Sequence, residues 1–374
     1  MPFPPPYSAP SLAVDLAAAR SGKDEQFMKD GVDVADDIAL PFPDPPALGE
    51  AIEVTDGIQW ARMSLPVRLN HVNVWLIDEP DGWSVVDCGL DSPETRSAWE
   101  KLAAGPMRGR PIKRLIATHG HVDHIGLAGW FVKRFDVPFY ATRSAWLWAR
   151  VTSDAREKPT SAEAIRFLNS HGCEPEHVAA YTKRRGPLQQ LFGEPPLSFC
   201  RLKDGDEFTT GSRVWSVMTA DGHADEHASF YSAASGVLIA GDQVLQRISP
   251  VVGVFSGEPL SDPLSDYLIS LDRFSRLNGK ALVLPSHGLP FIGLHQRVAQ
   301  LQQHHQQRLD MALEALDHPL TGAEISKVLF ARAVAGGEWY LAMAETLAHV
   351  HRLESQGLVQ RHVDNDGVIR FCRI

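Results

Sequence analysis

The run Leu115-Ile116-Ala117-Thr118-His119-Gly120-His121-Val122-Asp123-His124-Ile125-Gly126 opens as a short apolar stretch of strand length. It ends in a polar turn holding three histidines and one aspartate within six residues. The apolar, periodic segment Leu127 to Phe135 follows and is predicted as a helix. Strand, loop, helix is therefore the expected geometry, with the polar cluster at the strand's C-terminal end, where open α/β sheets place their ligand sites. Imidazole nitrogen and carboxylate oxygen suit zinc, manganese or iron, and a dense cluster of both can serve two ions at once. His119 and His121 flank a glycine, so on an extended loop their side chains can converge on one metal, leaving Asp123 and His124 to face a second. The plain alternative is a solvated polar turn. Four nitrogen and oxygen ligands in so short a span after an apolar strand argue against it.

His119-Gly120-His121-Val122-Asp123-His124 resembles the HxHxDH motif of the metallo-β-lactamase superfamily. The resemblance implies an α/β fold, a four-layer αβ/βα sandwich with a metal site at one edge of its two sheets. It also implies further ligands downstream, and three apolar strands end in suitable residues in the family's order. Val214 to Met218 leads into Asp221-Gly222-His223, so His223 matches the third ligand position. His227 is expected beside the ligands or against substrate. Val237-Leu238-Ile239-Ala240-Gly241-Asp242 matches the strand that delivers the bridging carboxylate. Ala281 to Gly288 closes on Ser286-His287-Gly288 and matches the last histidine. Upstream, Ser84-Val85-Val86-Asp87-Cys88-Gly89 resembles the early strand that ends in an aspartate orienting the histidine loop from behind. An ordinary turn residue is the alternative for Asp87.

Carried over, the set puts His119, His121 and His223 on one ion and Asp123, His124 and His287 on the other, with Asp242 between them. The implied cofactor is two divalent metal ions, zinc first, with manganese or iron as alternatives. β-Lactamases of the commonest class carry Cys where this chain has Asp242, and lack the histidine equivalent to His124. β-Lactam turnover is thus not the expected activity. The set resembles glyoxalase II-like thioesterases, lactonases and phosphodiesterases instead. The implied chemistry is hydrolysis, in which a hydroxide held between two ions attacks a carbonyl and Asp123 accepts or relays the proton.

The remainder of the 374 residues bounds the setting. Hydrophobic content of 44% and charged content of 22% are those of an ordinary globular protein. A net charge of −10 argues against a general partner for nucleic acid or anionic membrane. No apolar run reaches the length of a spanning helix. Met1-Pro2-Phe3-Pro4-Pro5-Pro6 lacks the basic start and apolar centre of a secretory signal. Cys88, Cys173, Cys200 and Cys372 are widely spaced and form no CxxC pair, which reads as free thiols in a reducing compartment and places the protein in the cytoplasm.

Three segments are expected. Residues 1–50 form a Pro-rich, extended leader with one short helix over Ser11 to Met28, either wrapping the domain or packing on a second subunit of a homodimer. Residues 51–300 form the catalytic domain, with strands at Ile58 to Leu65, Asn70 to Asp78, Ser84 to Gly89 and Val137 to Ala141. They carry a helical insertion, 144–198, whose aromatic residues suit either a lid over the site or a pair covering its own small core. His71 reads as a packing residue, and His171, His177, His304 and His305 read as solvated. Residues 301–374 hold a helix from Gln302 to Leu316, a capping-box helix opening at Thr321-Gly322-Ala323-Glu324, an amphipathic helix from Trp339 to Ser355, and a hairpin from Leu358 to Phe371. That order resembles a winged helix. Arg308 to Ile374 carries seven Lys and Arg against nine Asp and Glu, a net −2, so packing or dimerisation is expected rather than DNA reading.

The leading expectation is a dinuclear hydrolase acting on the thioester or lactone of a small-molecule, apolar acyl substrate. A phosphodiesterase or endoribonuclease of the same superfamily is the runner-up. A non-catalytic, metal-dependent binding protein is the third reading.

Overall fold

Side chains alternate along the central strands, and the alternation divides them among three apolar cores. The structure, a computed structural model, describes residues 38–155, 160–183, 189–335 and 338–374. The first sheet has seven strands: β1 (Ala51–Thr55), β2 (Ile58–Ser64), β3 (His71–Glu79), β4 (Gly82–Val86), β5 (Ile112–Ile116), β6 (Phe139–Ala141) and β7 (Cys200–Arg201), in sequential order. Pairing is antiparallel from β1 to β4 and parallel from β4 to β7. The second sheet holds β8 (Glu207–Thr210), β9 (Arg213–Ala220), β10 (His227–Ser232), β11 (Val237–Gly241), β12 (Leu282–Pro285) and β13 (Phe291–Ile292), ordered β13-β12-β11-β10-β9-β8. Only β11 and β12 run parallel there.

Along β3, Val72, Val74 and Leu76 join the core under the first sheet's helices, while Trp75 and Ile77 point between the sheets. Along β11, Val237 and Ile239 point between the sheets and Leu238 and Ala240 point out to helices. Both β4 and β11 are buried along their whole length, as strands covered on two faces must be. Helices α1 (Pro93–Ala104), α2 (Val122–Ile125), α3 (Ala128–Phe135) and α4 (Arg143–Ala155) follow in the first half. Trp99 and Leu102 of α1, Phe131 of α3 and Ala145 and Ala149 of α4 fill the first outer core. Later come α5 (Ala162–Ser170), α6 (Pro175–Lys183), α7 (Pro263–Phe274) and α8 (Leu294–Ala315). Leu264, Tyr267 and Leu271 of α7 and Leu294, Val298 and Leu301 of α8 fill the second. The layers are thus helix, sheet, sheet, helix, the sandwich that the resemblance implies.

The C-terminal part contains β14 (Leu320–Thr321), α9 (Gly322–Leu329), α10 (Ala331–Ala335), α11 (Trp339–Ser355), β15 (Val359–Val363) and β16 (Ile369–Arg373), with its own sheet in the order β14-β16-β15. Thr321 and Glu324 form the expected capping box. The leader's helix over Ser11 to Met28 lies outside the described residues. The described end of the leader, from Ile38, meets the second sheet where Ala39 pairs with Ile292.

Several expectations are corrected. The boundary expected between 300 and 301 falls inside α8, which is continuous from Leu294 to Ala315. Among the described residues of the insertion, α4, α5 and α6 are followed by a 3-10 turn at Gln189–Leu191, and 192–199 has no helix; there the Pro196 and Gly193 carbonyls accept from Trp146 and Ser153 of α4. His171 is only 2% exposed, since Gly322 and Phe371 close over it. His177 stacks on Trp339 at 4.7 Å, and His305 is buried because α11 lies across α8, where its Nδ1 meets His349 Nε2 at 3.2 Å. Composition marks these histidines as polar surface; tertiary packing decides otherwise. No helix among the described residues is long and apolar enough to cross a membrane. All four cysteines are free.

Candidate metal centre

Four strand ends deliver the polar residues to one place. β5 opens into the loop bearing His119 and His121, and the chain turns at once into the single-turn α2, whose first residues carry Asp123 and His124. His223 follows β9, Asp242 follows β11 and His287 follows β12. Gly241 sits at φ +59°, which glycine adopts freely, and a side chain there would meet the His227 ring at 2.4 Å. The Gly-Asp pair therefore lets the strand turn while its backbone lies on that imidazole.

All seven expected side chains converge. One donor atom each from His119, His121 and His223 lies within 4.8 Å of the others, and the same holds for Asp123, His124 and His287, and for His119, His124 and Asp242. His119 Nε2 and His121 Nδ1 approach to 2.9 Å. Two nitrogens on one tetrahedral zinc sit about 3.3 Å apart, so this close pair has the spacing of joint ligands. Asp242 Oδ2 faces His223 Nε2 at 3.3 Å, while its Oδ1 faces His287 and His124 at 3.5 and 3.6 Å. Asp123 Oδ2 lies 3.4 Å from His287 and 3.5 Å from His124.

The ring nitrogens on the far side are tied down. His223 Nδ1 donates to the Val251 carbonyl at 2.8 Å, His287 Nδ1 to the His71 carbonyl at 2.8 Å, and His124 Nδ1 to Asp87 at 2.9 Å. These bonds leave each Nε2 with its lone pair toward the centre. His124 Nε2, His223 Nε2 and Asp242 Oδ1 are buried without a hydrogen-bond partner among the described residues. Unpaired buried acceptors converging on one point are costly unless a cation takes them. The donor set fits divalent metal ions.

Electrostatics agree. Burial holds His119 well below the ordinary imidazole value and pushes His121 down to about 3, with neighbouring imidazoles adding to both. Burial also opposes charge on His124 and His287. Yet the carboxylates of Asp123, Asp242 and Asp87 raise His124 well above its ordinary value, and Asp242 and Asp123 raise His287 to about 10. The carboxylates are thus strong enough to pull protons onto two buried imidazoles. A cation supplies that positive charge directly.

The two residues expected behind the ligands are there. Asp87 accepts from Thr118 N at 2.8 Å and Thr118 Oγ1 at 2.7 Å, as well as from His124. It fixes both ends of the histidine loop and is more than a turn residue. His227 is fully buried, so it does not face substrate; its Nε2 accepts from Asp242 N at 3.0 Å and its ring stacks on His119 at 4.8 Å. His71, expected as packing, positions instead: its carbonyl takes His287 and its Nε2 accepts from Gly288 N at 3.0 Å.

Sequence reasoning missed Thr118 and Asn73. Fully buried Asn73 donates to the Pro285 carbonyl at 2.8 Å and accepts from Trp60 Nε1 at 2.8 Å, stitching β3 to the strand end that carries His287. A lone amide inside the apolar run of β3 was the available signal. On the outer side, the α4 residue Trp148 stands 6.3 Å from the His121 ring and is 51% exposed, with Leu147 and Val151 exposed beside it. It reaches that position because Gly120 has no side chain; a Cβ there would lie 2.9 Å from Trp148.

Comparison with known proteins gives consistent results. Residues 67–287 match the model of the metallo-beta-lactamase superfamily, and residues 309–374 match that of a metallo-beta-lactamase-like C-terminal domain. A beta-lactamase domain protein from Burkholderia ambifaria is similar, with 36% identity, a TM-score of 0.83, and coverage of 92% of this chain and 99% of that one. A metallo-beta-lactamase family protein from Thermus thermophilus follows at 32% identity and a TM-score of 0.71, covering 86% of this chain and 100% of its own. Among curated proteins, the probable metallo-hydrolase YqjP of Bacillus subtilis (strain 168) is 25% identical over 84% of this chain and 97% of its own length. The acyl-coenzyme A thioesterase MBLAC2 of Gallus gallus is 28% identical over 62% of this chain and 77% of its own.

Proposed function

Starting from a chain that belongs to the metallo-β-lactamase superfamily and is a metal-dependent hydrolase, we propose that it cleaves the thioester or lactone bond of an apolar acyl substrate. In this reading His119, His121 and His223 hold one divalent ion, Asp123, His124 and His287 hold a second, and Asp242 serves both. That is a glyoxalase II-like set, with zinc the first choice of metal. The observation that carries it is the division of the Asp242 carboxylate, one oxygen toward His223 and the other toward His124 and His287.

When bound, two such ions supply Lewis acidity and a water acidic enough to attack at neutral pH. The chain's own groups do the rest. Buried His119 and His121 stay neutral and so keep their lone pairs for binding. Asp87 and the carbonyls of His71 and Val251 fix the orientation of His124, His287 and His223. Asp123, whose side chain keeps 15% exposure, takes the proton that leaves the attacking water. As the water oxygen bonds to the acyl carbon the C–S or C–O bond breaks, and the proton that Asp123 took passes to the departing thiolate or alkoxide, which leaves as the thiol or alcohol.

An apolar acyl group is supported by the exposed Trp148 beside the His121 ring, with Leu147 and Val151 exposed on the same helix, and by a curated relative named as an acyl-coenzyme A thioesterase. An oxygen ligand at Asp242 speaks against β-lactam turnover, and the net charge of −10 speaks against RNA. For the C-terminal part we read a winged-helix-like unit used for packing or a homodimer contact, because its own balance is acidic. Free thiols fit a cytoplasmic setting.

A substrate panel tests the reading: acyl-coenzyme A esters of rising chain length, long-chain lactones and single-stranded RNA, each with zinc-loaded protein. Turnover of an acyl ester or lactone that is abolished by chelation is expected. Cleavage of RNA without acyl turnover would overturn the substrate class.

A further inference from the structure

From Asp242 to the start of α7 the chain has no helix or strand, yet Val244, Leu245 and Gln246 are buried. Buried carbonyls outside a ladder need donors from elsewhere. Here they come from two helices. Tyr267 of α7 donates its hydroxyl to the Gln243 carbonyl at 3.1 Å. Arg297, in the first turns of α8, donates Nε to the Leu245 carbonyl at 2.7 Å and Nη2 to the Ile248 carbonyl at 2.8 Å, and Nη1 reaches Gln300 Oε1 at 3.2 Å. Its side chain is fully buried, and none of these partners is a carboxylate. Burial pushes its pKa down to about 10, which still leaves it charged at neutral pH. A guanidinium buried without a counter-ion is costly, and an aliphatic residue would fill the volume more cheaply. What the arginine adds is a planar fork that spans two carbonyls of one loop.

That loop touches the rest of the centre. It begins at Asp242, whose backbone N–H is held by His227. Gln243 Nε2 reaches the Asp221 carbonyl at 3.2 Å, two residues before His223, and also Ser270 Oγ at 2.5 Å. Gln246 packs on Gly288, the residue after His287. Displacement of the loop would therefore move Asp242 and loosen the two strand ends on either side.

We propose that Arg297 is a positioning residue of the metal centre, clamping the loop after Asp242 so that its carboxylate stays divided between the two ligand groups. The proposal rests on the two-ion reading above, and extends it to a side chain that touches neither ion nor substrate.

Arg297→Lys, Arg297→Met and Tyr267→Phe test it. Each is stripped of metal, titrated with zinc in competition with a chromophoric chelator, and loaded with cobalt(II) for its visible spectrum. The thermal midpoint of the metal-free form is recorded alongside. Both Arg297 variants are expected to bind zinc about 10-fold more weakly or worse and to show altered cobalt bands. Lysine should not rescue, because an ammonium cannot span both carbonyls. Tyr267→Phe should shift the same quantities in the same direction by less. Wild-type affinity and spectrum in Arg297→Lys and Arg297→Met, with only a lower metal-free midpoint, would make the arginine merely structural and overturn the proposal. Should Arg297→Met not fold, unchanged binding in both Arg297→Lys and Tyr267→Phe has the same force. Fewer than two ions in the wild type would instead sink the metal reading beneath it.

Discussion

Asp242 offers one carboxylate oxygen to His223 and the other to His124 and His287. Asp242→Ala should lose metal at both positions and cut turnover by several orders of magnitude, while His227 and the core keep the fold. Elemental analysis and an acyl-ester assay check this, and near-normal rates with two metals bound would remove the bridging role. Asp242→Cys should retain some metal but stay far below wild type. Asp87→Ala removes the acceptor of Thr118 N, Thr118 Oγ1 and His124 Nδ1 in a buried site. Its zinc affinity should fall about 10- to 100-fold, read by chelator competition. The seven converging residues were legible through the family resemblance, which dense or glycine-flanked motifs after apolar strands carry. Asn73, Thr118 and Arg297 were not, because their partners lie far off in sequence and are mostly backbone groups, which all residues share.

Among the elements, α4 and the C-terminal helices carry separate expectations. Trp148→Ala should lower kcat/KM increasingly with acyl chain length while leaving the shortest acyl ester and the metal content unchanged. A uniform loss across chain lengths would detach that helix from the substrate. At the packing of α5, α8 and α11, burial lowers His305 well below its ordinary value and His171 and His349 to about 4, and lowers His351 as well. A depressed folded-state value means that the unfolded chain takes the proton first. The stability each group contributes is whole above about pH 6.5 and is lost as pH falls through the folded values, by about 1.4 kcal/mol per unit for each group. Thermal midpoints measured between pH 7 and 4 should fall steeply, and His349→Gln should flatten the curve. Thr321→Ala, which breaks the capping box, should cost about 1 kcal/mol in stability and nothing in turnover. That box was readable from four adjacent residues. The buried imidazoles were misread because nothing local in α8 tells which face α11 will cover.

On the scale of the whole molecule, one apolar core joins the outer face of the second sheet, α7 and α8 to α5, α9, α11 and β16. The chain's end is thus part of the wall behind the metal centre, and Val254 N, three residues past the carbonyl that holds His223, bonds to the Ala344 carbonyl at 3.0 Å. Deleting residues 309–374 should expose Leu264, Leu271 and Leu301 and yield little soluble protein, whereas a folded, active truncation would show that the two parts are independent. The layered sandwich could be anticipated only through the family resemblance that the histidine motif and the later strand ends carry. A continuous α8 could not, since a helix that bridges two packed parts leaves no break in the sequence. The central claim, hydrolysis by a paired metal site, is tested most directly by adding zinc stepwise to chelator-stripped protein and following acyl-ester hydrolysis at each addition. Activity should rise from none and level off at two ions per chain. Full activity without zinc, or a plateau at one ion, would contradict it.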